Sequence, residues 1–343
     1  MIGIDVSDRS VKIVRLSDRK PWRLVSHCVQ EVPAGVIEAG VIIDARKTEE
    51  MLTTALSACG VGLGLKSSIV ASIPEQQSFL RVVELPQMPE DEVGEAVQWE
   101  VAQHIPFGLE NVYIDWQSLS STGHAPAAGK QEILVGAAQK KVVDPLYAVF
   151  QALPLDVAAF ELESQALTRA LVSEDLRPTQ GILIVDLGGA STNVVIHDHG
   201  TIRFTASLQK GSDRMRDTLA LEEIKMVNTN PDTIPPEVVE SVEGKLSALY
   251  QELVVEVRGI VEFYNGIDQQ HEVREIILTG GGGNFPGMGQ AFLRVFDNVH
   301  VQRGNPWANL TDGAGGERTA PLTIAQSTRY ATALGLALRQ VFV

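Results

Sequence analysis

The sequence is poor in cysteine and lacks long apolar runs. Cys28 and Cys59 are the only two cysteines among 343 residues, and neither lies in a CxxC or other metal-ligand pattern. Two thiols cannot form a disulfide framework, so we expect reduced thiols in a reducing compartment. No run of 18 apolar residues suggests a transmembrane helix, and the opening residues are typical of a buried strand, not of a signal peptide. We therefore expect a cytoplasmic protein that reaches a membrane only through a partner.

The sequence is also short of basic residues. It carries 28 Lys and Arg against 43 Asp and Glu, for a net charge of −15. Such a surface repels the phosphates of nucleic acids and anionic lipid headgroups, so nucleic-acid binding and direct membrane insertion are not expected. The GxxxxGK[ST] motif of P-loop proteins and the GxSxG motif of hydrolases are absent. The seven histidines form no metal-binding cluster. The sequence is therefore not expected to be a P-loop protein, a hydrolase with a GxSxG motif or an enzyme with a histidine metal site.

A pattern near the N-terminus returns in the second half of the chain. Residues 1–14 (MIGIDVSDRSVKIV) and 181–196 (GILIVDLGGASTNVVI) each read as an apolar strand that ends in Asp, a turn of small residues, and a second apolar strand. Strands and helices alternate elsewhere, which is typical of an α/β fold, and the length favours two domains. We expect a first lobe at 1–177, a second lobe at 178–330, and a C-terminal helix at 331–343 that packs back on the body.

The two turns can hold a polyphosphate. Backbone N–H groups in a tight turn form an anion nest, and Asp5 and Asp186 at the strand ends suit a hydrated Mg²⁺, which takes oxygen ligands and keeps several waters. Small or cationic side chains that can approach phosphate oxygens follow them: Ser7, Ser10, Lys12, Gly188, Gly189, Ser191 and Thr192. Either unit alone is most often an ordinary hairpin, but their pairing predicts a bound nucleotide and its metal.

A run of glycines at Gly280, Gly281 and Gly282 follows the strand EIILT and lets a flat base approach the backbone. The three features in this order resemble the phosphate-1, phosphate-2 and adenosine motifs of the actin, Hsp70 and hexokinase superfamily, which implies ATP and Mg²⁺ as cofactors. The resemblance implies that Glu222 and Lys225 contact the ribose and base, although such a pair is usually a solvated contact on a helix face. It also implies that Glu161 orients a water for hydrolysis, although a carboxylate there is more often a surface residue.

Within that superfamily the chain resembles the PilM family of type IV pilus assembly proteins over nearly its whole length. The most specific segment is LPQMPEDEVGEAVQWEVAQHIPFGLENVYIDWQSL. The resemblance implies an α/β fold of actin type, with two lobes that are duplicated RNase H-like units and a small subdomain inserted in the first lobe at about 84–118. It also implies an ATP-binding scaffold, peripheral to the inner membrane, whose ATP turnover is slow or absent and which is compatible with a homo-oligomer.

The implied partner is the N-terminal cytoplasmic peptide of an inner-membrane protein of the PilN type. In the inserted segment, Val93, Val97 and Val101 recur every four residues and predict the buried face of a helix. Trp99 lies about 200° around the helix from Val97. It is either an anchor for the peptide or buried against a neighbouring element. The candidates for partner binding are Met88, Trp99, Ile105, Pro106 and Phe107.

Two other functions stay open at this point. A cell-division filament protein of the FtsA type has the same lobes but would carry an amphipathic membrane helix at its C-terminus, whereas residues 331–343 contain only Arg339 as a charge. A small-molecule kinase of the same superfamily would need a second substrate site in the cleft, for which no residues are evident. The scaffold is therefore the favoured prediction.

Overall fold

The structure is a computed structural model that describes residues 1–17, 22–61, 67–105, 108–119, 128–173, 181–229, 231–267, 272–310 and 322–339. Its strands are β1 Ile2–Val6, β2 Ser10–Leu16, β3 Leu24–Glu31, β4 Ile37–Glu38, β5 Val41–Ile42, β6 Ser67–Ile73, β7 Ser78–Pro86, β8 Val112–Ser118, β9 Lys130–Gln139, β10 Leu155–Leu162, β11 Gly181–Leu187, β12 Thr192–Asp198, β13 Thr201–Leu208, β14 Val273–Thr279 and β15 His300–Arg303. Its helices are α1 Ala45–Ala58, α2 Glu90–His104, α3 Lys140–Ala152, α4 Glu163–Leu171, α5 Asp213–Arg216, α6 Leu221–Thr229, α7 Pro236–Ile267, α8 Met288–Leu293, α9 Ile324–Ser327 and α10 Ala331–Ala337. None of these described helices is long and apolar enough to cross a membrane.

Two large sheets carry the same local arrangement. The first contains five strands in the order β10-β6-β1-β2-β3, and the second contains eight in the order β15-β14-β11-β12-β13-β7-β9-β8. In each, an antiparallel hairpin (β1–β2 or β11–β12) pairs on one side with a parallel strand, β6 or β14. The hairpins place Asp5 opposite Lys12 and Asp186 opposite Asn193. The repeat seen in the sequence is therefore a repeat of structure with the same register around each Asp.

Helices bury the two sheets. On the first sheet, α1 and α3 contribute Leu52, Leu56 and Phe150 to one core. On the opposite side α10, which is buried along its whole length, packs against β1 and α4. Gly3 makes this contact close, because a Cβ there would lie 2.0 Å from the carbonyl oxygen of Ala333. The second sheet is covered by α7 and α8, which share one core with it. Each hairpin is therefore packed against helices of its own half, and its turn points toward the other half.

An inserted unit of β7, β8, β9 and α2 extends from the first half. Its helix buries Val93, Val97 and Val101 against the sheet, as the four-residue spacing predicts, and leaves Trp99 71% exposed. The strands of the unit reach beyond 84–118, since β7 begins before that range and β9 follows it. Because β7 also pairs with β13, the inserted unit and the second half share one sheet.

Cys28 and Cys59 form a disulfide, with their Cα atoms 5.6 Å apart, a separation within the usual range. Cys28 lies in β3, Cys59 directly follows α1, and α1 packs over β3. This pairing departs from the expectation of reduced thiols. The expectation was drawn from sequence spacing, which does not show that a helix on an edge strand brings these two sulfurs together.

Candidate functional site

The turns of the two hairpins face each other across a cavity of about 250 Å³, here called the central cleft. Residues from both halves line it, and acidic and basic side chains are mixed around its wall. The sequence-predicted residues that line it are Asp5, Ser7, Ser10, Lys12, Asp186, Gly188, Gly189, Ser191, Gly280 and Gly281. The structure thus brings together three segments that lie far apart in the chain.

In the first hairpin, Asp5 and Lys12 form a shielded ion pair. Lys12 Nζ donates to Asp5 Oδ2 at 2.8 Å, and the two side chains are only 19% and 6% exposed. The hydroxyl of Ser72 donates to the other carboxylate oxygen at 3.3 Å. Burial alone would lower the pKa of Lys12, but the adjacent Asp5 carboxylate outweighs it and the pKa is raised. Lys12 therefore carries a fixed positive charge into the cleft.

In the second hairpin, Asp186 stands opposite an asparagine instead of a lysine. The amide of Asn193 donates to Glu163 Oε2 at 2.8 Å and its oxygen accepts from the hydroxyl of Ser207 at 2.8 Å. Burial raises the pKa of Asp186 to about 6, with Lys12 lowering it and the other hairpin's carboxylate raising it. Sequence reasoning missed Asn193, although it follows Asp186 at the same spacing as Lys12 follows its own Asp.

Glu163, the first residue of α4, faces the cleft and is buried. Its Oε2 accepts from the Asn193 amide at 2.8 Å and from the backbone N–H of Glu75 at 3.3 Å. Burial raises the pKa of Glu163 well above its usual value, and the carboxylates of Asp5, Asp186 and Glu75 raise it further. Glu163 is therefore a carboxyl group held in place beside both hairpins.

Glu161, predicted to orient a water, does not line the central cleft. It is buried, and both of its carboxylate oxygens accept hydrogen bonds from the guanidinium of Arg169, one of them at 2.8 Å. Residues two apart in a strand point to the same face of a sheet, but β10 ends at Leu162 and Glu163 already belongs to α4, so the two carboxylates lie on different surfaces. The geometry therefore moves the candidate for this role from Glu161 to Glu163.

The glycine loop after β14 closes one wall of the cleft. Gly280 has a φ of +74°, and a Cβ there would lie 2.4 Å from Asp186 Oδ1, so the position requires glycine. Gly281 lines both the central cleft and a neighbouring side cavity of about 280 Å³. Gly282 is buried, and a Cβ there would lie 2.7 Å from the Cβ of Leu187. Gly282 thus serves close packing and does not line either cavity.

Three other predicted nucleotide contacts are placed elsewhere. Thr192 is fully buried and its hydroxyl donates to the carbonyl of Lys210 at 2.5 Å. Glu222 and Lys225 are exposed on α6 and line neither the cleft nor the side cavity. Asn228, one turn further along the same helix, does line the side cavity. The structure therefore does not place Glu222 and Lys225 beside the cleft or the side cavity, and their contacts with a ribose and base stay predictions.

An ion pair joins the two halves across the cleft. Arg9, in the turn of the first hairpin, lies with its Nε 2.5 Å from Oδ2 of Asp213 at the start of α5. Gly189 sits beside it, and a Cβ there would lie 2.8 Å from Arg9 Cγ. Two further arginines, Arg216 and Arg329, line the cleft. Of the cations that line the cleft, sequence reasoning named only Lys12, because these arginines belong to no glycine or hairpin motif.

The residues of the cleft fit a magnesium nucleotide. Asp5 and Asp186 supply one carboxylate from each half, while lysine, arginine and the two turns supply positive charge and N–H donors. Within the described ranges no group of three or more His, Cys, Asp and Glu side chains is arranged to hold a metal by itself. Mg²⁺ commonly uses one or two carboxylates together with phosphate oxygens and water. Asp5 and Asp186 are therefore enough to hold a Mg²⁺ ion that is also bound by a nucleotide.

A second large cavity, about 510 Å³, lies on the inserted unit and is here called the insertion groove. It runs between the strands β8 and β9 on one side and β10 with α4 on the other. Its apolar wall includes Leu80, Leu134 and Leu162, and its polar residues are Asp115, Gln117, Glu161, Gln165, Arg169 and Arg339. The Glu161–Arg169 pair is therefore part of this groove, on a different surface from the nucleotide candidates.

Three of the predicted partner-binding residues, Met88, Trp99 and Ile105, lie on the other side of the inserted sheet. Ile105 is buried and Met88 packs against the same core under α2. Trp99 is exposed on the outer face of α2, so the alternative that it is buried against a neighbouring element is wrong. None of these three lines the insertion groove, and Pro106 and Phe107 lie outside the described residues.

Solved structures share this architecture. The chain is similar to the PilM–PilN type IV pilus biogenesis complex, with a TM-score of 0.78 and 22% identity over 100% of this chain and 98% of that chain. It is also similar to the ethanolamine utilization protein EutJ of Carboxydothermus hydrogenoformans (TM-score 0.56, 14% identity, 98% and 88% covered). A third is MreB 5 of Spiroplasma citri bound to AMPPNP (TM-score 0.51, 12% identity, 99% and 96% covered). Together with the duplicated hairpins, these likenesses confirm the predicted α/β fold of the actin-like ATPase class.

The family follows from the sequence. The sequence model of the type IV pilus assembly protein PilM family matches residues 3–341. Because this match covers nearly the whole chain, the chain belongs to the PilM family. The resemblance drawn from the hairpins, the glycine loop and the inserted segment is confirmed.

Proposed function

We propose that this protein is a cytoplasmic, nucleotide-binding scaffold of type IV pilus assembly, and that it binds the N-terminal peptide of a PilN-like inner-membrane protein. The observation that carries the proposal is membership of the PilM family over residues 3–341. The similar solved structure is a complex of PilM with PilN, which supports a partner of the same kind. Association with the inner membrane would then come through that partner.

The ligand proposed for the central cleft is ATP with Mg²⁺. The mixed charges of the cleft suit an anion that carries a divalent cation, and the turns of both hairpins suit its phosphates. The similar MreB structure holds AMPPNP, which supports a nucleotide in this fold. When bound, the metal would neutralise phosphate charge, while Asp5 and Asp186 hold its water shell and Lys12 contacts the anion.

Turnover of ATP is expected to be slow. Burial and the neighbouring carboxylates raise the pKa of Glu163, so a larger fraction of this carboxyl is protonated at a given pH than of an ordinary glutamate, and a protonated carboxyl cannot accept a proton from water. We expect a steady-state rate far below about 10 s⁻¹, the common value for enzymes, that rises with pH and falls further in Glu163→Gln. A fast, pH-independent rate in a phosphate-release assay would contradict this role.

The insertion groove is the proposed site for the peptide. One wall is formed by β8, which lies at the edge of the eight-stranded sheet, and an edge strand can pair with an extended peptide through its backbone. The apolar floor under β9 supplies pockets for alternate side chains. The volume of about 510 Å³ is twice that of the central cleft, so a short extended segment can be accommodated.

Charge supports a cytoplasmic tail as the occupant. Short cytoplasmic segments next to transmembrane helices are enriched in Lys and Arg, and this protein carries a net charge of −15. Opposite charges speed association and fix orientation. Asp115, exposed in β8 and lining the groove, is a candidate contact for a basic side chain of the peptide.

The experiment is a titration of the protein into a fluorescently labelled N-terminal peptide of the PilN-like protein, read by anisotropy. Gln165→Trp places bulk in the groove from α4, and we expect affinity to fall at least about tenfold, comparable to the loss of a binding anchor. Trp99→Ala is the matched control, because it changes an exposed aromatic on the opposite face of the inserted sheet. It should change affinity less than about twofold.

The opposite result for the two variants would place the peptide-binding site elsewhere on the protein. If Trp99→Ala weakens the peptide and Gln165→Trp does not, the outer face of α2 binds the peptide, as the sequence first suggested. If the wild-type protein does not bind the peptide, the proposed partner is wrong. Melting temperatures of both variants should stay close to that of the wild type, which separates lost binding from lost folding.

A further inference from the structure

Arg216 is a cation in the central cleft without a side-chain partner among the residues that the structure describes. It ends α5 and lines the cleft. Its Nε is shielded from water and makes no hydrogen bond, and its guanidinium forms no ion pair with any residue in the described part of the chain. Arg9 and Lys12, in the same cleft, are paired with Asp213 and Asp5. A shielded polar group without a partner is costly, so its position indicates a ligand that supplies the missing acceptor.

The position of Arg216 identifies which part of a ligand it would meet. Its Nη2 lies 3.3 Å from where a Cβ on Gly281 would stand, so the guanidinium lies against the glycine loop. Gly281 and Arg329 each line both the central cleft and the side cavity. Arg216 therefore lies near the junction of the two cavities, whereas Asp5 and Asp186 lie at the hairpins.

We propose that Arg216, together with Arg329, binds the nucleoside-proximal phosphate of a nucleotide. The inference rests on the proposed function that the cleft binds a nucleotide, with the outer phosphates at the hairpin turns and the nucleoside in the side cavity. A ligand that spans both cavities must pass Gly281, and the group that crosses there is the phosphate next to the nucleoside. A guanidinium presents N–H donors in a planar fork that matches phosphate oxygens.

The proposal makes a distinctive prediction about nucleotide selectivity. ATP, ADP and AMP share the proximal phosphate, so Arg216→Ala should weaken all three by about tenfold or more, the usual effect of losing a charged hydrogen bond. The ratio of ATP to ADP affinity should stay unchanged. Arg216→Lys keeps the charge without the fork and should lose less. Isothermal titration with each nucleotide in the presence of Mg²⁺ measures these affinities.

Arg214 offers a matched control on the same short helix. Its side chain is 55% exposed, with its Nη1 3.5 Å from Glu252 Oε1, and it does not line the cleft. Arg214→Ala should leave all three affinities within about twofold. The melting temperature of Arg216→Ala without nucleotide should be no lower than that of the wild type, because the truncation removes a group that has no partner.

The outcomes separate this inference from the proposed function. If the wild type binds no nucleotide, the proposed nucleotide function fails and the inference fails with it. If the wild type binds ATP and Arg216→Ala binds it equally well, only the inference is overturned. A loss for ATP without a loss for ADP would also overturn it, because Arg216 would then contact the terminal phosphate.

Discussion

The two hairpins of the cleft share a register but differ in the residue that stands opposite the aspartate. Asp5 faces Lys12 and forms an ion pair with it at 2.8 Å. Asp186 faces Asn193, whose amide instead donates to Glu163 in the first half. The first hairpin is therefore neutralised within itself, whereas the second makes its polar contact across the cleft.

This single difference gives the halves different roles. In the first hairpin the charge of Lys12 is balanced by Asp5, while the second retains an aspartate without a facing cation, whose pKa is raised by burial to about 6. The contact of Asn193 with Glu163, like the Arg9–Asp213 ion pair, joins the two halves. The two hairpins thus have the same backbone arrangement, and the residue opposite the aspartate, Lys12 in one and Asn193 in the other, makes the cleft asymmetric. The predictions below test that asymmetry.

The largest expected effect is on stability, from removing the cation of the first hairpin. Lys12→Met leaves Asp5 buried without its partner, and breaking such a pair typically costs about 3 kcal/mol or more in free energy of unfolding. Chemical denaturation without nucleotide measures the loss. The double variant Asp5→Asn/Lys12→Met should recover much of it. An unchanged free energy of unfolding in Lys12→Met would show that the pair is not desolvated.

The next effect concerns the carboxylate of the second hairpin. Asp186→Asn should weaken binding of ATP with Mg²⁺ by about 1.5–3 kcal/mol, roughly 10- to 150-fold, because charged hydrogen bonds to the metal's water shell are lost. Asp5→Asn should lose less, since it frees Lys12 to contact phosphate. Isothermal titration of both variants checks the order. Equal losses would mean that the two hairpins are interchangeable.

A smaller effect is expected from pH. Asp186 takes up a proton as the pH falls through about 6, so affinity for ATP with Mg²⁺ should fall between pH 7 and pH 5, by about tenfold at most per pH unit. Because the folded-state pKa is raised, the same group stabilises the nucleotide-free fold at low pH, and this contribution is lost as pH rises from about 4 through about 6. Asp186→Asn should remove both effects. If affinity in the wild type is flat over this range, the carboxylate is not the titrating group.

The hairpins were predictable because their signals are local. An apolar strand that ends in Asp and runs into a turn of small residues specifies the same structure in both halves, and Asp5 and Asp186 lie where expected. The glycine at position 280 was equally readable, since its positive φ and its closeness to Asp186 leave no room for a side chain. These features depend on a few neighbouring residues.

The remaining site residues depend on contacts between distant segments. Choosing Glu163 over Glu161 required the residue at which β10 becomes α4, because in a continuous strand the two side chains would point to the same face, and element ends are the least certain part of such an assignment. The insertion groove is built from β8, β9, β10 and α4, which no single motif encodes. Arg216 belongs to a four-residue helix without a recognisable pattern.

The smallest predicted effect tests the contact of Asn193 between the halves. Asn193→Ala removes the hydrogen bonds to Glu163 and Ser207, both at 2.8 Å, and should lower the free energy of unfolding by about 1–2 kcal/mol. Asn193→Lys instead copies the first hairpin, because it places a cation opposite Asp186 in the register that Lys12 has with its own Asp. That cation should lower the pKa of Asp186, so the fall in affinity for ATP with Mg²⁺ should move to below pH 6. If Asn193→Lys leaves the pH dependence unchanged, the residue opposite the aspartate does not set the difference between the hairpins.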